Sequence, residues 1–131
     1  MNKNRVVLDT NVLFSALNST TGNSAIIFDM FLENKLELIY SDSILREYRE
    51  ILNRYSSRID ALKAEKALKA IEFLGVLCSP HKREFVTPDI DDHIFYDAAM
   101  FGYAHLITWN LKHYPKESFI LSPDEFLKLH G

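Results

Sequence analysis

The apolar positions of this chain change period repeatedly, and that alternation predicts its layers. Val6, Val7 and Leu8 form an unbroken apolar run that stops at Asp9-Thr10-Asn11. Such a run, closed by polar residues, suits a short strand buried on both faces, as in a parallel sheet. The spacing then turns helical over Val12, Leu13, Phe14, Ala16 and Leu17. After a small polar loop at Asn18–Asn23, Ser24 is placed to cap a helix over Ala25–Leu32. Leu36–Tyr40 reads as the second strand. Ser41-Asp42-Ser43 can cap a strongly amphipathic helix whose stripe is Ile44, Leu45, Tyr48, Ile51, Leu52 and Tyr55.

The second half repeats the theme. Asp60 can cap a helix running to about Leu74, with Leu62, Ala67, Ala70, Ile71 and Leu74 as its stripe and Gly75 at its C-cap. Val76–Cys78 gives a third strand. Pro88-Asp89-Ile90-Asp91-Asp92 opens a helix whose buried face is Ile94, Phe95, Ala98, Ala99, Phe101 and Gly102. His105–Thr108 is the fourth strand, Leu111–Pro115 a loop or short turn, and Ser118–Leu121 the fifth strand. Ser122, Pro123 and Glu125 then supply an N-cap, a proline at the first helical position and a capping box. Strands alternate with helices throughout. The expected fold is therefore α/β: one domain over residues 1–131, a three-layer α/β/α sandwich around a five-stranded parallel sheet.

Composition narrows the function more than the fold. A chain of 131 residues, 47% hydrophobic and 25% charged, suits one ordinary globular core. With Cys78 alone there is no internal disulfide and no CxxC metal cage. No apolar stretch reaches the length of a membrane span, and the amino terminus lacks a signal-peptide core, so the expectation is a cytoplasmic protein without a membrane partner. The net charge of −3 argues against a protein that coats nucleic acid. It does not exclude a nuclease, whose active-site acids count as negative until they bind divalent cations. The distribution is uneven: Arg46 to Lys69 holds seven Lys/Arg against four acids, whereas Asp89 to Asp97 holds four acids and no Lys or Arg. A basic arm of that kind is ordinarily solvated helix surface.

The acids carry the chemistry. Asp9 stands at the carboxyl end of the first strand, where open α/β sheets place their ligands. A lone Asp there is as readily a helix cap. Glu47 lies roughly 40° outside the stripe of its helix, at the boundary of the buried face. Asp92 falls in the first turn of the helix before the fourth strand, and Asp97 lies about 140° away from it round that helix. Carboxylates gathered without a cation would repel one another, so a cluster of three predicts Mg²⁺ or Mn²⁺ and phosphate-ester chemistry.

Four segments, in order, carry a resemblance: Val7-Leu8-Asp9-Thr10-Asn11-Val12-Leu13, then Ser41 through Leu52 with Glu47, then Asp89 through Ala99 with Asp92, then Leu106 through Pro115 with Thr108 and Asn110. The set resembles the PIN-domain family and looks closest to its VapC-like branch, the toxin components of toxin–antitoxin systems. That resemblance implies a PIN-like fold and a metal-dependent endoribonuclease leaving 5′-phosphate and 3′-hydroxyl ends. Asp9, Glu47 and Asp92 match the metal-binding, catalytic acids; Thr10 and Asn11 match polar neighbours that orient the first Asp; Thr108 matches the hydroxyl on the fourth strand. Asn110 stands where many members carry a fourth acid, and it brings a carbonyl oxygen without charge. Asn110, Asp97 or Asp91 are the candidates for completing the metal site. Lys112, with Arg46 and Arg49, is a candidate phosphate contact; His113 suits an exposed or structural role. Implied partners are an RNA substrate, an antitoxin protein and a second copy of the chain, with Tyr48, Tyr55 and Tyr103 as exposed aromatics compatible with a homodimer.

Three other readings compete. A phosphatase of the haloacid dehalogenase type needs a second Asp where this chain has Asn11. A response-regulator receiver needs paired acids that Asp9 lacks. A PIN-like module that binds nucleic acid or protein with weak or no cutting is kept open by Asn110.

Overall fold

A computed structural model describes residues 3–57, 59–80 and 90–131, with side chains from 93 onward in the last segment. Among the described residues five strands and six helices follow one another as β1 (Asn4–Leu8), α1 (Thr10–Asn18), α2 (Asn23–Leu32), β2 (Leu36–Tyr40), α3 (Asp42–Arg54), α4 (Ala61–Leu74), β3 (Val76–Leu77), α5 (Ile90–Gly102), β4 (His105–Ile107), β5 (Ile120–Leu121) and α6 (Pro123–His130). A short 3-10 turn, Leu111–His113, lies between β4 and β5. The sheet is parallel in the order β3-β2-β1-β4-β5. Beginning at β1, the chain builds outward through β2 and β3, then returns across the sheet to add β4 and β5. The order therefore reverses between β1 and β4, and the carboxyl ends of two such strands are where open α/β sheets place their ligands.

β1 is buried because it is central: Val6, Val7 and Leu8 are almost wholly enclosed, paired with β2 on one side and β4 on the other. The ladder continues one residue beyond the strand, where the Asp9 amide donates to the Ile107 carbonyl at 3.0 Å. That bond fixes the start of α1 relative to β4.

The expected elements are found, and the differences are instructive. Ser41, Asp60 and Ser122 cap α3, α4 and α6 through their side chains, and the Ser122–Glu125 capping box is complete. Ser24 does not cap α2. The helix begins two residues earlier, at Asn23 with Gly22 at the cap, and the Ser24 hydroxyl is buried and accepts from the Trp109 indole. On α4 the buried face is Ala64, Ala67, Leu68 and Ile71, whereas Leu62 and Leu74 are exposed. On α5, Phe101 is exposed, while His93, Tyr96 and Asp97 are buried with Phe95, Ala98 and Ala99. That helix is covered on more than one side, so its inward face is wider than its apolar stripe. The start of α5 expected at Pro88 and Asp89 lies outside the described residues. Gly75 follows α4 in an extended conformation, and it is required for space: an added Cβ would collide with the Ile71 carbonyl and the Tyr40 ring.

Tyr48 is fully enclosed, not an exposed aromatic, and its hydroxyl donates to the Leu8 carbonyl at 2.6 Å. This bond ties α3 to the last residue of β1. Arg49, one residue on, bridges to Glu72 at 3.3 Å and to Glu65 at 3.7 Å, joining α3 to α4. Tyr48→Phe is expected to leave the Leu8 carbonyl short of a donor in a dry environment, costing about 1–3 kcal/mol. Denaturant titration checks this, the midpoint falling with an unchanged slope; an unshifted midpoint would show that the hydroxyl holds nothing.

Candidate active site

Asp9 occupies the N-cap position of α1 and yet makes no side-chain capping hydrogen bond. Its carboxylate turns across the crevice instead. One oxygen, Oδ2, accepts from the Thr108 hydroxyl at 2.8 Å and from the Tyr114 hydroxyl at 3.0 Å. No side chain among the described residues donates to the other, Oδ1. Asp9, Thr108 and Tyr114 are all buried. The capping role that a lone strand-end Asp suggests is set aside in favour of a carboxylate held from the neighbouring strand.

Thr108 is the hub. Besides donating to Asp9, its oxygen accepts from the Asn110 amide at 3.0 Å and lies 3.5 Å from the Asn11 Nδ2. The Asn11 Oδ1 in turn accepts from the Trp109 amide at 3.2 Å. The first turn of α1 and the segment after β4 are thus stitched together across the point where strand order reverses. Burial pushes the Asp9 pKa up; the Thr108 and Tyr114 hydroxyls, with the Thr10 and Asn11 amides facing the carboxylate from the helix start, pull it back only partly. The same carboxylate, with burial the larger cause, raises the pKa of Tyr48 and keeps its phenol protonated. A buried acid whose charge is only partly offset is a ready seat for a cation.

A PIN-domain family profile matches residues 5–112. The chain belongs to the PIN-domain family. The uncharacterized protein MJ1680 of Methanocaldococcus jannaschii is 32% identical to it over 111 residues, spanning 81% of this chain and 70% of that relative. PIN domains are nuclease-like, generally hydrolases, and typically use divalent metal ions.

The other residues expected at the site of this PIN domain are placed as follows. Glu47 sits half-buried in α3, adjacent in sequence to Tyr48, whose hydroxyl is anchored one residue before Asp9. Asp92 lies in the first turn of α5, but its side chain is outside the described residues, as is that of Asp91. Asp97 is buried and its Oδ2 stands 3.0 Å from the His93 Nδ1; its Oδ1 has no hydrogen-bond partner among the described residues. The described hydrogen bonds link Asp97 to His93 and not to Asp9. Thr10, expected to orient Asp9, points a buried hydroxyl that finds no hydrogen-bond partner there. Asn110 is exposed and its side chain does not cap the 3-10 turn that it precedes. Arg49 is engaged by the two glutamates of α4, whereas Arg46 and Lys112 are exposed, with no ion pair among the described residues.

Tyr114 is the residue that sequence reasoning missed. It lies 105 positions from Asp9 and beyond the segment matched by the family profile. It falls within the last of the segments that carry the resemblance, yet a Tyr before Pro115 reads as loop and suggests no role at the site. The His93–Asp97 pair was more legible, being an i, i+4 pair on a helix.

No ion is needed to test the fit. Among the described residues no three His, Cys, Asp or Glu side chains gather as a metal site; what they offer is one buried carboxylate, Asp9, with an oxygen free of side-chain donors, the kind of hard oxygen ligand a divalent cation takes. Because burial raises the Asp9 pKa, the stability linked to this group is present below the ordinary carboxylate value and is lost as pH rises through the folded value. Asp9→Asn keeps an acceptor for Thr108 and Tyr114 without the charge. In EDTA its melting temperature is therefore expected to exceed that of the wild type near neutrality, with the gap closing toward acid pH. A variant that melts lower throughout would show that the carboxylate is not held at an electrostatic cost.

Proposed function

We propose that this PIN domain is a divalent-metal-dependent endoribonuclease that hydrolyses RNA phosphodiesters. The carrying observation is the posture of Asp9, a buried carboxylate at the β1–β4 switch point that forgoes its cap and is gripped by two hydroxyls through one oxygen. Asp9, Glu47 and Asp92 would hold Mg²⁺ or Mn²⁺, with Asn110 or Asp97 as the further oxygen donor. When bound, such an ion lowers the pKa of a water and offsets charge developing at phosphorus.

The chain's own residues do the positioning. Thr108 and Tyr114 fix the rotamer of Asp9, and Asn11 fixes Thr108 and the amide of Trp109. Tyr48 holds α3, and so Glu47, against the end of β1. Beside Tyr114 a cleft of about 590 Å³ is lined by Lys112 and Lys116 together with Glu117 and Glu125. Both glutamates already accept hydrogen bonds, Glu117 from the Tyr96 hydroxyl and Glu125 from the Ser122 amide. The lysines have no ion pair among the described residues, which leaves them for a phosphate backbone.

The choice of RNA, the toxin role and an antitoxin partner follow from the resemblance to the VapC-like branch. Growth arrest on expression, relieved by a small co-expressed partner, checks that role. For the chemistry, Asp9→Ala and Glu47→Gln are each expected to lower RNA cleavage about 10²–10³-fold. EDTA should abolish cleavage and Mn²⁺ restore it. If Asp9→Ala cuts RNA as fast as the wild type, the assignment falls. Thr108→Val, which removes only the hydroxyl gripping Asp9, should weaken Mn²⁺ binding about 10- to 100-fold by calorimetry.

A further inference from the structure

Trp109 is the only tryptophan in the chain, and its placement is more constrained than packing requires. It follows Thr108 directly, at the rim of the crevice that holds Asp9. Three hydrogen bonds fix it: its amide to Asn11 Oδ1 at 3.2 Å, the next amide, of Asn110, to Thr108 Oγ1 at 3.0 Å, and its indole Nε1 to the Ser24 hydroxyl at 2.9 Å. Ser24 is 1% exposed, so its hydroxyl is spent on holding the ring. Even so, 41% of Trp109 remains open. The indole N–H, the ring's one polar group, is satisfied inward, so whatever the ring itself presents to solvent is carbon. A tryptophan serving only to fill a gap would be expected to bury that carbon too.

We propose that Trp109 is a stacking platform for an unpaired nucleobase of a single-stranded RNA, next to the phosphate presented to Asp9. This deepens the nuclease reading and rests on it. A base stacks on an aromatic face whatever its identity, because every base has a π-face. Bases inside a duplex already stack on one another and cannot offer that face, so the platform selects single strands, loops and bulges over helical RNA. Ser24 and Asn11 act as positioning residues, holding the ring before any substrate arrives. Lys112 is exposed on the turn that follows.

As Trp109 is the sole indole, its fluorescence reports this site directly. A short 5′-labelled RNA is titrated into the wild-type chain in EDTA, once as a single strand and once annealed to its complement. Label anisotropy reads binding and the intrinsic emission reads stacking. The single strand should bind and quench the indole; the duplex should bind more weakly and leave it unquenched. Trp109→Ala should weaken single-strand binding about tenfold or more, Trp109→Phe should recover most of it, and Ser24→Ala should fall between. Anisotropy that rises with unchanged emission overturns the platform, as does equal quenching by both forms. Absence of single-strand binding also overturns it. Cleavage in Mn²⁺, assayed separately, tells whether the nuclease reading has failed as well.

Discussion

The structure depends on one electrostatic constraint: a carboxylate is buried where two central strands end. Taking a charge out of water is costly unless hydrogen bonds or an ion compensate it. At Asp9 the compensation comes from the Thr108 and Tyr114 hydroxyls and is partial, since burial still raises the pKa. The fold supplies that partial compensation from far along the chain, so the strand order is a functional matter as well as an architectural one. β4 must lie beside β1 for Thr108 to reach Asp9, and the return crossing through α5 puts it there.

Around this centre the polar contacts fall into a chain of support. Asn11 steadies Thr108 and the Trp109 amide, Ser24 steadies the Trp109 indole, and Tyr48 steadies the helix that bears Glu47. Each link joins elements distant in sequence, and most end on a buried acceptor. Networks of this kind favour one arrangement over its neighbours, because a half-satisfied alternative leaves polar groups dry. By contrast the surface pairs, such as Arg54 with Glu50 on α3 and Lys35 with Glu33 before β2, are open to solvent and contribute little.

The residues of the proposed site were unequally legible. Asp9 stood out because an apolar run ends on it, and Thr108 because another ends there. What the carboxylate does was not legible, since capping and crevice-facing carboxylates share the same local pattern. Tyr48 was misjudged in part: its helical stripe pointed inward while its aromatic character suggested surface, and the buried Leu8 carbonyl decided the matter. Ser24 looked like a cap because a serine precedes an apolar helix, but the indole of Trp109 competes for its hydroxyl.

Local pattern was enough for the layers: where strands and helices alternate, that the first strand is buried on both faces, and which acids follow or precede a strand. Those are local matters, set by hydrophobic period, caps and proline or glycine punctuation within a few residues. Which side chains meet depends on the packing of the strands. Thr108 lies 99 positions from Asp9 and Tyr114 lies 105, and no periodicity relates residues so far apart. Their meeting follows from the parallel order of the sheet, and it turns a cap-like aspartate into a carboxylate aimed at a ligand.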